Sequence, residues 1–485
     1  MTLTDYDAWY RTRYKRTTSA LTTTTFILSD LIALLLSFAM GFFWVKIYGF
    51  IINDAGIINA KSFILYWPYL PVFIFIFQIN RLYPGISLAP SEEMRRFFLG
   101  TLLVYSGIIM SRFVQYESWD TYNSAFLISF VFSTITLLTI RSLTHWFLHV
   151  TRLGGIPTVI YGSGSTGKLL VDCLLGSART GYIPVLILDD KPNGKDEYKG
   201  IPIIHDTSLG PEIVKLYNIK MAIVSMPSLD TTSLKNLLNT SVSAFRYNVI
   251  IPSFSNVSSI WMSVRDFNGI LGIDTSNQFK RTWNRIIKRF MDLTIVPIGG
   301  LLALPFLLFI ALIIKINSPG PVIFKQKRIG RNGTHFYAYK FRTMFADADE
   351  RLRVLLEKNP ALKKEWEENH KLVNDPRITS IGKLLRRTSI DEFPQLINII
   401  KGEMSLVGPR PIVDEETKKY GEEYKRVFTV KPGLTGLWQV SGRSNLNYLD
   451  RVAYDTYYLK SWSVWMDLWI IFKTFGVVLL GKGAY

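Results

Sequence analysis

Apolar residues are concentrated in long runs over the first third of the chain. Four segments, at about 24–48, 63–80, 97–116 and 124–148, are each close to the ~20 residues that a helix needs to cross a bilayer. Basic residues are more frequent before the first segment, between the second and third, and after the fourth: Arg11, Arg13, Lys15, Arg16, Arg81, Arg95, Arg96 and Arg152. The intervening loops carry only Lys46, Lys61 and Arg112. Under the positive-inside rule this pattern predicts a four-helix transmembrane domain over residues 1–150, with both ends in the cytoplasm.

The pattern changes over residues 151–278 to short apolar runs separated by turn residues. The runs TVIYG, PVLILDD, MAIVSMP and YNVIIPSF alternate with segments of helical spacing such as TGKLLVDCLLGS. Alternation of strands and helices predicts a Rossmann-like α/β domain with a parallel sheet, in a structural or regulatory role.

A glycine-rich stretch, GSGSTGKLL, follows the first strand of this domain. Its glycines have the GxGxxG spacing of a dinucleotide-binding turn: Gly162, Gly164 and Gly167. Asp189 and Asp190 end the next strand, as in such folds. Leu169 stands where a nucleotide-hydrolysing loop needs a hydroxyl for magnesium, and no YxxxK follows. Two interpretations remain open: a bound regulatory nucleotide, or glycines that only permit a tight strand-to-helix turn.

A second apolar region, at about 293–314, lies at the start of the third predicted domain, 279–485. It is long enough to span a bilayer but contains Pro297 and Pro305, and both of its flanks are basic. A single span would place one basic flank outside and would export the rest of the chain. We therefore predict a re-entrant helix at about 290–315 that breaks near Pro305, since proline removes a backbone donor. An ordinary fifth span is the alternative.

Composition narrows the classes of ligand. The chain is 48% hydrophobic and carries a formal net charge of +18. In a membrane protein this charge favours lipid headgroups and a phosphate-bearing substrate over nucleic acid. Cys173 is the sole cysteine, and the five histidines lack metal-ligand spacing, so neither a disulfide framework nor a histidine-rich metal site is expected.

The stretch RRTSIDEFPQLINIIKGEMSLVGPRP (386–411) contains the candidate chemistry. Its first half fits a capping box, with Ser389 as N-cap and Glu392 three residues later, which would make Asp391 and Glu392 ordinary first-turn acids. Three arginines surround this pair more heavily than such a helix needs: Arg386, Arg387 and Arg410. Carboxylates with guanidinium groups suit a metal-bound diphosphate. Magnesium binds through one or two carboxylates plus substrate phosphates, so Asp391 and Glu392 are the predicted Mg²⁺ ligands.

These motifs, together with YKFRTM (339–344) and KPGLTGLWQVSGR (431–443), resemble the bacterial sugar transferases, or monotopic phosphoglycosyl transferases. The resemblance covers residues 280–485 densely, and the preceding domains are similar to the long-form members. It implies transfer of a hexose 1-phosphate, with galactose 1-phosphate expected, from a UDP-sugar to undecaprenyl phosphate, with release of UMP. It further implies a homodimer in the bacterial inner membrane, with the catalytic domain at the cytoplasmic face, that initiates O-antigen (lipopolysaccharide) or exopolysaccharide synthesis.

The resemblance also assigns roles to residues. Asp391 would attack the phosphorus and form a covalent phosphosugar intermediate, and Glu392 would hold magnesium or assist the lipid step. Substrate phosphates would contact five basic residues: Arg410, Arg386, Arg387, Lys340 and Arg342. The uridine side would be lined by Trp438, Gln439 and Arg443. Asp455 matches another acidic position of the family. Leu304 departs from members that place serine before the proline, so a hydroxyl that could recover a carbonyl bond is missing.

Two other functions remain open from the residues alone. A membrane-anchored Rossmann-type UDP-sugar-modifying enzyme predicts tight NAD binding at Gly162–Gly167 and activity that survives Asp391→Asn. A non-catalytic polysaccharide assembly scaffold predicts neither UMP release nor magnesium dependence.

Overall fold

The computed structural model of the 485-residue chain forms two compact units, Met1–Val257 and Ser258–Tyr485. The first unit contains both the four-helix region and the α/β region. Tyr6 and Tyr10, near the start of the chain, belong to the core of the sheet. The structure describes residues 6–10, 19–51, 67–85, 88–117, 119, 121–151, 154–176, 181–190, 196–251, 263–267, 270–274, 279, 282–345, 347–348, 350, 352–353, 357, 375, 377–421, 423–442 and 447–480.

Long apolar helices dominate the start of the first unit, as the hydrophobic pattern predicts. They are α1 (Ser19–Ile51), α2 (Leu70–Ile79), α3 (Pro90–Tyr116) and α4 (Thr121–Thr151). Three of them, α1, α3 and α4, are long and apolar enough to cross a membrane. The described part of the second predicted segment is shorter: a 3₁₀ turn, Trp67–Tyr69, leads into α2. Residues 63–66 of that segment lie outside the described residues.

A buried arginine ties these helices together. Arg141 on α4 donates hydrogen bonds to Asp30 Oδ2 on α1 at 2.7 Å, to Glu93 Oε1 on α3 at 3.0 Å and to the Leu82 carbonyl at 2.6 Å. Its side chain is 1% exposed. Charged groups inside a membrane bundle are tolerated when they pair with each other, so this network fixes how the three helices pack.

The α/β region contains a six-stranded sheet covered on both faces. Its elements are β1 (Ile156–Tyr161), α5 (Ser165–Gly176), β2 (Tyr182–Leu188), β3 (Glu197–Tyr198), β4 (Ile201–Ile204), α6 (Gly210–Tyr217), β5 (Met221–Val224), α7 (Thr231–Thr240) and β6 (Tyr247–Ile250). The strand order is β3-β4-β2-β1-β5-β6, parallel except for the β3–β4 pair. Successive residues of β1 alternate between two apolar clusters, Val159 and Tyr161 on one face and Ile160 on the other. This arrangement confirms the expected α/β domain, but the antiparallel β3–β4 pair makes the sheet mixed where a parallel sheet was predicted.

The second unit opens with a hairpin and a long apolar helix. Strands β7 (Ser263–Phe267) and β8 (Ile270–Asp274) precede α8 (Thr282–Asn317). Helix α8 runs without interruption through Pro297 and Pro305, so the predicted break in helical structure at Pro305 is not seen. A proline inside a helix removes one bond and bends the axis, but the turns on either side keep their own bonds. Its side chains remain largely exposed, as with Leu302 at 78%, and α8 is a fourth candidate membrane span.

Short elements build the rest of this unit around α8. In chain order they are β9 (Ile323–Ile329), β10 (His335–Phe341), α9 (Ser380–Thr388), α10 (Leu396–Lys401), β11 (Ser405–Val407), α11 (Thr417–Tyr420), α12 (Glu423–Val427), β12 (Gly433–Thr435), α13 (Leu437–Ser441), α14 (Tyr448–Ser461) and α15 (Val464–Leu480). Strands β9 and β10 form an antiparallel hairpin, and β11 pairs with β12 in parallel. Asp292 of α8 accepts hydrogen bonds from the Ser405 hydroxyl and the Leu406 amide, which anchors β11 to the apolar helix.

Candidate active site

The carboxylate pair lies in a 3₁₀ helix, Ile390–Gln395, directly after α9. Ser389 joins the two helices in the left-handed conformation, with φ of 58°. Its side chain makes no cap hydrogen bond, so the predicted capping box is wrong. The physical reason is that Ser389 ends α9, with its amide donating to the Arg386 carbonyl at 3.2 Å, and a left-handed residue cannot aim its side chain at the following amides.

Asn398 holds this segment against the β9–β10 hairpin. It is fully buried on α10, where its side chain accepts from the Tyr339 amide at 3.1 Å and donates to the Tyr337 carbonyl at 2.7 Å. These bonds satisfy backbone groups on the edge of β10 and fix the position of the helix that follows the carboxylates. Lys340, the next residue of β10, is thereby brought beside Glu392.

Lys340 and Glu392 form a close ion pair. The Lys340 ammonium donates to Glu392 Oε1 at 2.6 Å, with the Glu392 side chain 31% exposed. Burial alone would raise the pKa of Glu392, but the charge and hydrogen bond of Lys340, helped by Arg410 and Arg328, hold it below its ordinary value. Glu392 is therefore a stable anion at neutral pH.

Asp391 has a different environment although it is the next residue. It is 9% exposed, and burial, followed by repulsion from the Glu392 carboxylate, raises its pKa to about 6. Lys340 and Arg386 act in the opposite direction. Two neighbouring carboxylates with opposite pKa shifts are typical of sites that give the two groups separate chemical roles.

Arginine side chains complete the positive surroundings. Arg386 is fixed by its bond from Nε to the Thr343 hydroxyl at 2.9 Å, and Asp391 acts on it electrostatically. Arg328 on β9 donates to the Pro411 carbonyl at 3.1 Å, and it lies close enough to Arg410 and Glu392 for mutual electrostatic effects. Arg328 is not among the site residues predicted from the sequence. A signal was available in the strand pattern. Arg328, Gln326 and Phe324 are spaced two residues apart and so share one face of β9, and Phe324 pairs with Lys340 on β10.

Buried aromatic and acidic groups support Arg410. Trp438 is 4% exposed, and its ring centroid lies 5.3 Å from the Arg410 guanidinium carbon and 5.1 Å from that of Arg451. Asp455, 1% exposed, accepts the Tyr420 hydroxyl at 2.8 Å. Burial raises the pKa of Asp455 to about 7, against the effects of Tyr420 and Arg410. The structure thus brings Asp455 and Trp438 together around Arg410, and the buried indole has little surface left for stacking on a base.

Several predicted site residues lie elsewhere or outside the described residues. Arg342 is buried and donates to the carbonyls of Ser318 and Pro319 at 2.6 and 2.9 Å, which anchors the loop after α8. Arg387 is exposed at the end of α9, and Gln439 is partly exposed on α13. Arg443 lies outside the described residues. The phosphate or uridine contacts expected of these four remain predictions.

The glycine-rich loop of the first unit has its own internal partners. The Asp189 carboxylate accepts both the amide and the hydroxyl of Ser163, at 2.6 and 2.7 Å. A Cβ on Gly167 would collide with the Gly162 carbonyl, and Gly162 has φ of 106°. A Cβ on Gly164 would meet no atom within 4 Å. Packing and turn geometry therefore account for Gly162 and Gly167. Asp189, at the position of the acid that binds ribose in dinucleotide-binding folds, is hydrogen-bonded to the loop itself.

Comparison with protein families gives two matches along the chain. The description of the family that matches residues 283–481 is bacterial sugar transferase. A second family, described as a CoA-binding domain, matches residues 83–244. The first match contains Asp391, Glu392, Lys340 and the arginines around them, all within the second unit.

Individual relatives match over most of their length. The chain is 32% identical to undecaprenyl-phosphate galactose phosphotransferase of Salmonella typhimurium, over 81% of this chain and 82% of that protein. It is 32% identical to the UDP-galactose-lipid carrier transferase of Erwinia amylovora, over 79% and 81%. It is also 32% identical to the UDP-glucose:undecaprenyl-phosphate glucose-1-phosphate transferase of Escherichia coli, over 67% and 68%.

Proposed function

The chain belongs to the bacterial sugar transferase family, and from that premise we propose that it transfers a hexose 1-phosphate from a UDP-sugar to undecaprenyl phosphate and releases UMP. The observation that carries this proposal is the pair of unlike carboxylates, Asp391 and Glu392, in a setting of four cations: Lys340, Arg328, Arg386 and Arg410. An excess of positive charge around a buried carboxylate suits a diphosphate substrate.

We propose a two-step reaction in which Asp391 is the nucleophile. Its carboxylate oxygen attacks the phosphorus that bears the sugar and forms an acyl phosphate, and the bond from that phosphorus to the bridging oxygen breaks to release UMP. An oxygen of the lipid phosphate then attacks the same phosphorus and displaces the carboxylate. A pKa of about 6 leaves Asp391 ionised at neutral pH, which nucleophilic attack requires.

The basic residues act by position and charge. Phosphoryl transfer depends mostly on orientation of the groups and on charge stabilisation at the transferred oxygens. Arg386 and Arg410 are the proposed phosphate contacts. Lys340 keeps Glu392 ionised, and its ammonium is a positive charge near Asp391 in addition to that of Arg386.

The carboxylate pair also fits a magnesium ion. Magnesium prefers carboxylate oxygens and substrate phosphates and does not need histidine or cysteine. Within the described residues, no group of three or more acidic, histidine or cysteine side chains forms a candidate metal site. We propose that Asp391 and Glu392 would hold the ion together with the diphosphate, where it would neutralise phosphate charge.

The identity of the transferred hexose is a further part of the proposal. Equal identity, 32%, to relatives named for galactose and for glucose gives no preference between them. We propose galactose because the galactose-named relative from Salmonella matches over 81% of this chain against 67% for the glucose-named one. An O-antigen or exopolysaccharide is the proposed glycan.

The membrane setting follows from the acceptor. A lipid phosphate lies at headgroup level with its tail in the bilayer, so the Asp391 site must lie at that interface. We propose the cytoplasmic face of the inner membrane, with α8 entering and leaving the same leaflet by a bend at Pro305, and a homodimer as the working assembly. The basic residues on both flanks of α8 support this topology.

The test uses a UDP-sugar that is labelled in the phosphate next to the sugar. With undecaprenyl phosphate and magnesium, the label should pass into the lipid product while UMP appears in equal amount. Galactose, glucose and N-acetylated donors are compared in parallel. Label that stays in UDP while sugar reaches the lipid would refute phosphosugar transfer. A UDP-sugar-modifying enzyme would instead change the donor in an NAD-dependent way and survive Asp391→Asn, and a scaffold would release no UMP.

A further inference from the structure

A cavity of about 390 Å³ lies beside the first turns of α8, apart from the carboxylate pair. It is lined by the first turns of α8, by Ser405 at the start of β11 and by the segment before β12. Its charged lining residues are Arg285, Lys288, Arg289, Arg331, Lys431 and Asp292. Neither Asp391, Glu392 nor Lys340 lines it. The cavity is therefore a second charged site in this unit.

Some of these charges already have protein partners. Lys288 donates to Asp467 Oδ2 at 2.6 Å. Arg289 donates to the carbonyls of Ile399 and Ile400 at 2.6 and 2.8 Å, where α10 ends. Asp292, the one carboxylate in the lining, is engaged with the amide and hydroxyl that anchor β11. The cavity therefore keeps an excess of positive charge.

Lys431 is a partly buried cation in the lining of this cavity. The Lys431 ammonium and Arg289 Nη2 both lie beside Gly402. They are 3.3 and 3.5 Å from the position that a Cβ on this glycine would occupy. Burial, and then the charge of Arg289, lower the pKa of Lys431. In the part of the chain that the structure describes, no hydrogen bond or ion pair to its ammonium is present. A half-buried lysine beside like charges is stabilised by a bound anion.

The position of the cavity indicates which anion. Arg285, Lys288 and Arg289 belong to the same helix whose apolar side chains, such as Phe290 at 68% exposed and Leu302, face outward. A basic pocket beside an apolar helix lies at the level of lipid headgroups, where phosphodiesters are the commonest anions. We propose that this cavity binds a phosphate group, and specifically that of an anionic membrane lipid, with Lys431 as the principal contact.

The test measures binding, so it is independent of transferase activity. The full chain in detergent is titrated with dioctanoyl phosphatidylglycerol, with dioctanoylglycerol, which lacks phosphate, and with inorganic phosphate, and bound ligand is followed by native mass spectrometry and apparent Tm. Lys431→Gln should weaken phosphatidylglycerol binding at least about fivefold, the effect of one charge at a membrane surface. Arg285→Gln, at an exposed position, should weaken it in the same direction. Lys418→Gln, which removes an exposed charge outside the lining, should have no effect.

Each outcome decides the proposal. Phosphatidylglycerol binding that exceeds dioctanoylglycerol binding and falls in Lys431→Gln supports a lipid phosphate site. Binding of inorganic phosphate alone, with the same dependence on Lys431, supports a phosphate site but refutes the lipid as its source. Equal binding of the two lipids, or no change in Lys431→Gln, overturns the proposal. So does a lower apparent Tm of Lys431→Gln without added anion, because relief of like-charge repulsion should leave the Tm equal or higher.

Discussion

Replacement of Asp391 by asparagine should abolish turnover and at the same time stabilise the protein. The folded protein raises the pKa of Asp391 from 3.8 to about 6, a difference of about 2 units. At 1.36 kcal/mol per unit this corresponds to roughly 3 kcal/mol. A raised carboxylate pKa means that the folded state favours the neutral form. The loss of folding stability caused by the Asp391 charge is therefore absent below pH 3.8 and complete above about pH 6.

Asparagine has nearly the same shape and no charge, so Asp391→Asn should raise the apparent Tm at pH 7.5. For a unit of this size 3 kcal/mol corresponds to a shift on the order of 5–10 °C. The gain should shrink as the pH is lowered towards 4, where wild-type Asp391 is protonated. The assay is thermal unfolding in detergent across this pH range, with EDTA to remove divalent ions, alongside UMP release at pH 7.5.

Glu392→Gln is the matched control and should have the opposite effect on stability. Lys340 lowers the pKa of Glu392, so its charge stabilises the folded state above the unfolded pKa, and that stability is lost on acidification. Removal of the charge leaves the Lys340 ammonium without its partner at 2.6 Å. The reasoning is refuted if Asp391→Asn lowers the Tm at pH 7.5, if its gain persists unchanged near pH 4, or if both variants shift the Tm in the same direction.

Four further predictions follow from the site. The rate of UMP release per enzyme should fall about tenfold per pH unit below about pH 6, where Asp391 becomes protonated, and a flat profile down to pH 5 would contradict this role. Lys340→Gln should reduce kcat/KM about 10²-fold in steady-state assays, because Asp391 loses a neighbouring positive charge and Glu392 its partner. Arg328→Gln should reduce kcat/KM by a comparable factor without loss of folding, and wild-type activity would exclude Arg328 from the site. Asp455→Asn should act through Arg410 and raise the KM for the UDP-sugar about tenfold, whereas an effect on stability alone would make Asp455 purely structural.

The sequence predicts the architecture well where hydrophobic periodicity is strong. The long apolar helices and the alternating strands and helices of the α/β region are found at the expected places. Pro305 shows the limit of this reasoning, because a proline removes one helical bond but cannot by itself end a helix whose neighbouring turns are intact. Ser389 shows another, since its left-handed backbone is set by the end of α9 and not by the acids that follow.

Tertiary contacts explain why some site residues could not be found from the sequence and why the burial of others was not expected. Asp391, Glu392 and Arg386 are close in sequence and could be grouped by motif. Arg328 reaches the site from a strand more than sixty residues earlier, so its proximity to Glu392 depends on the β9–β10 hairpin and on Asn398. Trp438 looked available for a base, but its burial between Arg410 and Arg451 is visible only in the fold.

Intact-mass spectrometry of the full chain, incubated with magnesium and a panel of UDP-sugars but no lipid acceptor, tests covalent catalysis by Asp391 most directly. The account predicts a hexose-phosphate adduct that maps to Asp391, is absent in Asp391→Asn and disappears when undecaprenyl phosphate is added. If no adduct forms with any donor although UMP is released once the lipid is present, the transfer is direct and Asp391 is not the nucleophile.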